Sequence, residues 1–593
     1  MQTVNNTTEH IIKYLAYGIF FIIIFLFFLI FANHVFIYQE KHSLFILSAD
    51  YLQDFLDQPG SLLKYLAGFF SSFYYYPAVG AVIASTVMLL SVIFLSKISE
   101  LVKGSENLFI PFLAGILMFY LQTNYQYMLF NNLGIFLQLA ITSIFIRYGR
   151  KSYWPVVILP IWYFINGGFA WMSYGIYGAW LIVTGFKKNL LKIVSLLILA
   201  VATVFISGEF LFYRPWLALL VYPWSPGNST ADNIVFTALG AVICFMPFAL
   251  IIKSPRLTLK SFTKKNLLSA EVIFIAAILS TISFLKYDRK SEYYFRAEKL
   301  FYEKRYDELV KFNLKYPTRN IITLYLNNVA LCETGRLNEL LFSFPQSPDG
   351  STLFQKWETE IKGEILRHGG NFYYATGMIN EAYRWAYEYM VLRGYTPDGL
   401  KMMIKCDLIN GNYKNAEIYI NRLKKTLFYR KEAYEYEKML FNDNAVSSHP
   451  ELGLKRKISP RVDFFTITDD PVINIERIVA TDSVYINRNA FEYKMAWHLL
   501  NKDLKAIAQE WYKLGLYGYK IAPKHLQEAA LAMRTLLKIE LPAQEKLKIT
   551  ADTEKRYAQF LQTFQLSGYD LAKAEPLLRK NFGNTFWYYM FYK

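Results

Sequence analysis

The sequence predicts an all-α protein in two parts. A polytopic helical membrane domain covers residues 1–290, and a soluble helical-repeat domain follows it. Three observations predict this. Stretches of ~20 apolar residues recur through the first half, at the length a bilayer core requires. Basic residues gather on alternate connections between those stretches. The second half is of mixed polarity and carries glycines at the ends of successive helix-period segments.

Nine spans are read at about 14–32, 78–95, 108–122, 127–146, 154–166, 168–186, 191–207, 233–252 and 268–286. Backbone groups in lipid find no water, so each span must be a helix. The first span has no small-residue cleavage site and reads as retained. The fifth is short, holds Pro155 and Pro160, and ends at Asn166-Gly167-Gly168. Spans five and six therefore read either as two crossings or as a re-entrant hairpin.

The loops set the orientation. Lys13, Lys97, Lys103, Arg147, Arg150, Lys151, Lys187, Lys188, Lys192, Lys253, Arg256, Lys260, Lys264 and Lys265 fall on one side. Only Lys41, Lys64 and Arg214 fall on the other. The positive-inside rule then predicts a cytoplasmic N-terminus. The long loop 33–77, the loop 208–232 and everything after Lys286 are expected outside.

Loop 33–77 carries Glu40, Asp50, Asp54 and Asp57 beside His34 and His42. Leu44, Leu47, Tyr51, Leu52, Phe55 and Leu56 fall at helical spacing, which predicts an amphipathic helix along the membrane surface. Its acidic groups read either as a site for chemistry on a lipid-linked substrate or as a solvated face. Loop 208–232 holds Glu209, Tyr213, Arg214, Trp216 and Trp224. An interfacial aromatic belt accounts for the rings, whereas Arg214 has the geometry to clamp a phosphate. Gln122, Asn124 and Gln126, then Asn131 and Asn132, sit at the outer end of spans three and four. They read as amides bonded across helices or as the lining of a pocket facing Glu40.

The second half divides at 291–446, a helical domain of tetratricopeptide type, 447–468, a linker, and 469–593, a second helical subdomain. Gly335, Gly377 and Gly411 each end a helix-period segment, with an apolar residue two positions later. Gly377 and Gly411 are 34 residues apart, the tetratricopeptide period. Pro450, Gly453 and Pro460 interrupt the pattern. Lys455, Arg456, Lys457 and Arg461 read as a solvated basic loop or as contacts to lipid head groups.

The net charge of +17 is spread over both halves, with 20 Lys and Arg against 11 Asp and Glu in residues 1–290. No basic run is interleaved with stacking aromatics, so nucleic acid is not expected as a partner. Cys244, Cys332 and Cys406 have no metal spacing and read as buried thiols. No nucleophile elbow, phosphate loop or zinc-protease motif occurs. No resident cofactor is expected. A divalent cation at Glu40, His34 and His42 would need further ligands.

The overall plan resembles multi-span glycosyltransferases of the C-type fold. These start with a cytoplasmic N-terminus, carry an acidic residue in a long first outward loop, and often end in a large outward domain. That resemblance implies transfer of sugar from a polyprenyl-phosphate donor at the outer face. Glu40 would be the general base, with Asp50 as substitute. Arg214 would steady the phosphate, and His42, Gln122, Asn124 and Glu209 complete the candidate binding residues. The family's Asp-Asp, Asp-Glu or Asp-x-Asp is absent here. More closely, the strings YQEKHSLFILSADYL, LINGNYKNAEIYINRLKKTLFYRK and SSHPELGLKRK resemble a bacteroidete family of multi-pass inner-membrane proteins without an assigned function. The other reading is a membrane-anchored scaffold whose helical repeats bind an envelope protein. A transporter is disfavoured, because ionisable residues within the spans are few.

Overall fold

The computed structural model describes residues 2–103, 108–150, 152–251, 264–357, 363–460, 470–481, 486–539, 541 and 547–593. Among these residues every regular element is helical. The basic positions Lys151, Lys253, Arg256, Lys260 and Arg461 lie outside them. The chain forms two compact units. The first is Met1–Glu292 with Lys425–Phe428, and the second is Tyr293–Lys424 with Tyr429–Lys593.

All nine apolar segments are helices in the first unit. Seven stretches are long and apolar enough to cross a bilayer: His10–Phe31, Pro77–Lys103, Leu129–Tyr148, Trp154–Val183, Phe186–Leu211, Thr230–Ala249 and Leu268–Leu285. The unit is thus built as an integral membrane domain. Phe109–Gln122 has 14 residues, a rise of ~21 Å against a hydrocarbon core of ~30 Å.

Trp154–Val183 is 30 residues long but is not one straight helix. The Trp162 indole donates to Gln138 Oε1 at 2.9 Å, and Ser173 Oγ donates to the same oxygen at 2.7 Å. Residues 11 positions apart on a continuous helix would be separated by ~16 Å. They share one acceptor because Trp154–Asn166 and Ala170–Val183 fold back on each other. The reversal sits at Gly167, whose φ of 58° and ψ of −139° only glycine adopts readily. The segment is therefore a helical hairpin, a geometry shared by both alternatives read from the sequence. Its turn is irregular backbone, which must find partners within the protein. Gly168 N–H donates to Tyr222 O at 2.7 Å, and Gly60 N–H donates to Phe164 O at 3.0 Å. A Cβ on Gly167 would lie 2.4 Å from Tyr222 O.

The first loop departs from a single amphipathic helix. It forms His34–Lys41, Ala49–Gln53 and Ser61–Ser72. Ser48 is the reason the middle helix starts late: its side chain accepts from Tyr51 N–H and caps it. Leu44, Phe45 and Ile46 are buried in irregular chain instead. Gly60, at φ 89°, marks the turn into Ser61–Ser72. Lys425 O accepts from Leu47 N–H at 2.9 Å, and Phe428 stacks on Tyr75 within the same unit.

The second unit begins with helix pairs. Ile321–Glu333 turns at Gly335 into Leu337–Leu340, Gly363–Ala375 turns at Gly377 into Ile379–Arg393, and Pro397–Asn410 turns at Gly411 into Tyr413–Lys424. All three glycines have positive φ, of 67°, 84° and 76°, the left-handed termination that spares carbonyls at a helix end. Pro450–Ile458 is also helical, although Pro450 reads as a breaker in sequence. Pro450 sits in the first turn, where its missing N–H has no helical partner to lose. Lys455 is buried, donating to Glu333 at 2.7 Å and to Ala375 O at 3.0 Å. Arg456 donates to Leu408 O and Ile409 O. These two cations hold helix ends together, so neither is a free basic loop residue.

Charge is buried at further places in this unit. Arg367, only 3% exposed, pairs with Glu298 and lies 3.8 Å from Asp398. Glu492 accepts from Tyr519 Oη at 2.8 Å and from Leu337 N–H at 3.2 Å. Burial raises the Glu492 carboxyl to about 7, although Tyr519 and Arg488 pull it down. Arg367→Leu would leave buried Glu298 without its cation and Asp398 with Lys401 alone. We expect a loss of about 3–5 kcal/mol, read as a lowered melting temperature of the detergent-solubilised protein. For Glu492 the folded chain keeps a proton that the unfolded chain releases near its ordinary 4.5. Its contribution is fully present below pH 4.5 and is lost as the pH rises toward 7. Glu492→Gln should therefore flatten the fall in melting temperature between pH 5 and 7. An unchanged slope would refute the assignment.

Candidate functional site

The residues around Glu40 are built by the short helix His34–Lys41, which follows the first span. Its Gln39 is 1% exposed. Gln39 Nε2 donates to Tyr127 O at 2.9 Å and to Tyr125 O at 3.2 Å. This fork seats the helix on the turn that joins Phe109–Gln122 to Leu129–Tyr148. Tyr38 packs edge-on against Tyr125 with centroids 4.7 Å apart. Glu40, one residue on, is 7% exposed, and Lys41 Nζ lies 3.8 Å from its Oε2. His34 is buried at the start of the helix, and burial lowers its imidazole to about 4 against the opposing pull of Asp288. At neutral pH this histidine is uncharged.

The amides sit beside this helix. Asn132 Nδ2 donates to Gln122 Oε1 at 2.8 Å, Gln122 Nε2 donates to Tyr127 O at 3.2 Å, and Tyr127 Oη donates to Asn132 Oδ1 at 3.1 Å. Asn124 Nδ2 donates to Asp232 Oδ2 at 2.8 Å. Asn131 clamps Ser225, donating to its carbonyl and accepting from its N–H. Each of these amides is engaged with protein, and together they tie the turn at 122–128 to the start of Thr230–Ala249.

The structure thus brings Glu40, Gln122 and Asn124 into one neighbourhood through Gln39 and the 122–127 turn. His42 closes the helix, with Nδ1 2.9 Å from Tyr38 O and its ring stacked on Tyr38 at 3.8 Å. Asp50, Glu209 and Arg214 enter none of these contacts. Asp50 is exposed in the first turn of Ala49–Gln53, Glu209 is exposed in the π-turn Ser207–Leu211, and Arg214 is exposed just after it. Among the described residues no group of three or more His, Cys, Asp or Glu side chains is placed to hold a metal ion.

A different feature lies in the second unit. A cavity of about 850 Å3 opens among Arg319, the segment Phe342–Pro348, Arg556 and the C-terminal helices. Arg319, Arg556, Arg579 and Lys580 line it, and its described lining holds no Asp or Glu. Its apolar side is Ile321, Leu324, Phe342, Phe344, Tyr588 and Tyr589. A buried clasp holds this side in place. Phe342 N–H donates to His525 Nε2 at 3.2 Å, which leaves the ring proton on Nδ1, 2.9 Å from Glu528 Oε2. Phe586 N–H donates to the same Glu528 oxygen at 2.7 Å. Glu575, which accepts from Tyr588 Oη at 2.8 Å, stands outside the lining.

Residues 9–593 match the model of a family of unknown function, DUF6057. The chain belongs to that family. No curated protein and no solved structure matches it. Membership in DUF6057 covers both units, so the membrane helices and the helical region after them are parts of one family architecture.

Sequence reasoning missed Gln39 and the cavity. Gln39 had a signal only in hindsight of its neighbour: an amide beside Glu40 in an otherwise apolar helix. The cavity's cations span positions 319 to 593, and only the Arg579-Lys580 pair is adjacent in the chain. Gln39→Leu would take the side-chain donor from Tyr125 O and leave Tyr127 O with Gln122 alone, at about 1–3 kcal/mol for a lost partner. We expect faster amide hydrogen exchange over residues 123–128 in this variant. Exchange equal to wild type would show that the fork does not hold the turn.

Proposed function

We propose that this integral membrane protein is a membrane-anchored binding module, whose helical second unit holds an envelope protein. One observation carries the reading: the 850 Å3 cavity of the second unit has a built apolar floor and a cationic wall. Stacked helix pairs commonly present such concave surfaces to peptides. The turns at Gly335, Gly377 and Gly411 fit a tetratricopeptide-like stack. The lysine and arginine bias of the loops supports an inner-membrane location, with the N-terminus cytoplasmic and the second unit periplasmic.

A second reading is a C-type glycosyltransferase that uses a polyprenyl-phosphate sugar at the periplasmic face. It is favoured by the burial of Glu40 at the end of the first span, beside Gln122 and Asn124. The exposure of Asp50, Glu209 and Arg214, apart from Glu40, weighs against it. Two substitutions separate the readings in cells that depend on the protein. Ser347→Trp fills the mouth of the cavity and should abolish function with membrane levels unchanged. Glu40→Gln should leave function at wild-type level. The reverse pattern, Glu40→Gln inactive and Ser347→Trp active, would replace the binding module with the transferase.

A further inference from the structure

We infer that the cavity of the second unit is a docking site for an acidic peptide segment. This rests on the binding-module reading and names the partner's chemistry.

The charge balance of the cavity is one-sided. Arg319, Arg579, Lys580 and Lys593 are exposed and Arg556 is half-buried, and no Asp or Glu side chain lines the described wall. Arg556 is held in position: its guanidinium donates to Asn584 Oδ1 at 2.7 Å and reaches Asn581 O at 3.4 Å. Neither partner is charged, so Arg556 keeps its full positive charge facing the cavity. Three buried or nearly buried cations of this unit are, by contrast, paired with carboxylates: Arg367 with Glu298, Lys455 with Glu333, Lys494 with Glu510. An arginine and lysine cluster without acidic partners creates a positive potential, which a concave wall focuses.

The rest of the wall selects among anions. Phe342, Phe344, Tyr588 and Tyr589 give it an apolar and aromatic side. Tyr589 is fixed through its hydroxyl, which donates to Leu500 O at 3.0 Å. The Asn581 side-chain amide stands along the same wall, whereas Gln346 is bonded to Leu341 O, Asn328 and Thr352, and Asn584 Oδ1 accepts from Arg556. A peptide with carboxylates and apolar side chains uses all three features: guanidinium for carboxylate, aromatic floor for apolar side chain, amide for backbone. A lipid surface is flat and would meet the rim of a cavity of about 850 Å3 rather than its floor. Arginine binds carboxylates with two parallel hydrogen bonds, which gives the contact direction as well as charge.

The test uses the full chain in nanodiscs of zwitterionic lipid. The probes are two fluorescein-labelled octapeptides, one alternating glutamate and leucine, the other glutamine and leucine. Fluorescence anisotropy should give at least ~10-fold tighter binding for the glutamate peptide at low salt, weakening as salt screens the charges. The double variant Arg579→Glu, Lys580→Glu should lose at least ~10-fold for the glutamate peptide. Both residues are exposed, so its melting temperature should match wild type, and Arg319→Glu is an independent check. Equal binding of the two peptides, blocked by Ser347→Trp, would overturn the acidic preference and leave the binding module standing. No binding of either peptide would overturn both. Displacement of the glutamate peptide by phosphatidylglycerol vesicles, with the double variant insensitive to them, would reassign the site to an anionic lipid surface.

Discussion

Gln138 governs the least regular part of the membrane unit. One side-chain oxygen takes hydrogen bonds from Trp162 and Ser173, one on each leg of the hairpin. In a helix-only membrane protein every broken backbone turn must find partners inside the protein. The hairpin meets that demand in two ways. Gln138 fixes the level at which the legs pair, and the loop at Leu219–Pro223 receives the tip. Tyr163 Oη donates to Leu219 O and the Trp171 indole to Leu220 O, while Gly168 N–H donates to Tyr222 O. The aromatic loop after Phe186–Ile206 is therefore a receptor for the hairpin as well as an interfacial belt. Thr142, which donates to Ser173 Oγ at 2.9 Å, extends the same polar seam along Leu129–Tyr148.

The same logic explains the amide-rich turn at 122–132. Apolar helices gain little by associating in lipid, so buried amides supply direction where hydrophobic contact does not. Gln39, Gln122, Asn124, Asn131 and Asn132 join four chain segments through side-chain bonds. Asp232 is one of their acceptors, and Ser229 Oγ caps the helix that carries it. A polar neighbourhood of this kind is rigid. Glu40 inherits that rigidity from Gln39, whatever its chemical role.

Much of this architecture was legible in the sequence, because hydrophobic length and glycine placement are local signals. The nine apolar segments, the break at Asn166-Gly167-Gly168 and the turns at Gly335, Gly377 and Gly411 are each set by residues next to one another. What was not legible depends on distant partners. Leu44 to Leu56 has helical spacing, yet Ser48 caps a shorter helix and Leu44, Phe45 and Ile46 are buried in irregular chain. Lys455 and Arg456 read as solvated, because nothing in the local string reveals Glu333, Ala375, Leu408 or Ile409 beside them. Of the candidate site, the proximity of Glu40 to Gln122 and Asn124 was readable from their common place at span ends. The separation of Asp50, Glu209 and Arg214 was not, since loop paths are fixed by packing rather than by composition.

The two units handle polar groups in opposite ways, and that contrast bears on function. In the membrane unit Gln122, Asn124, Asn131 and Asn132 are bonded within the protein, which ties up much of their hydrogen-bonding capacity. In the second unit Arg367, Lys455 and Lys494 are likewise paired, and Glu451 is held well below the usual carboxylate range because Lys405 and Lys304 outweigh its burial. The cavity wall breaks that habit. Arg556 bonds only to neutral amide and carbonyl oxygens there, and Arg579 and Lys580 stand exposed on the same wall. Leaving these cations together gains nothing in stability, because like charges at close range repel. The arrangement makes physical sense if an anion from another molecule completes it. That points to binding at the second unit, with the first unit supplying the anchor.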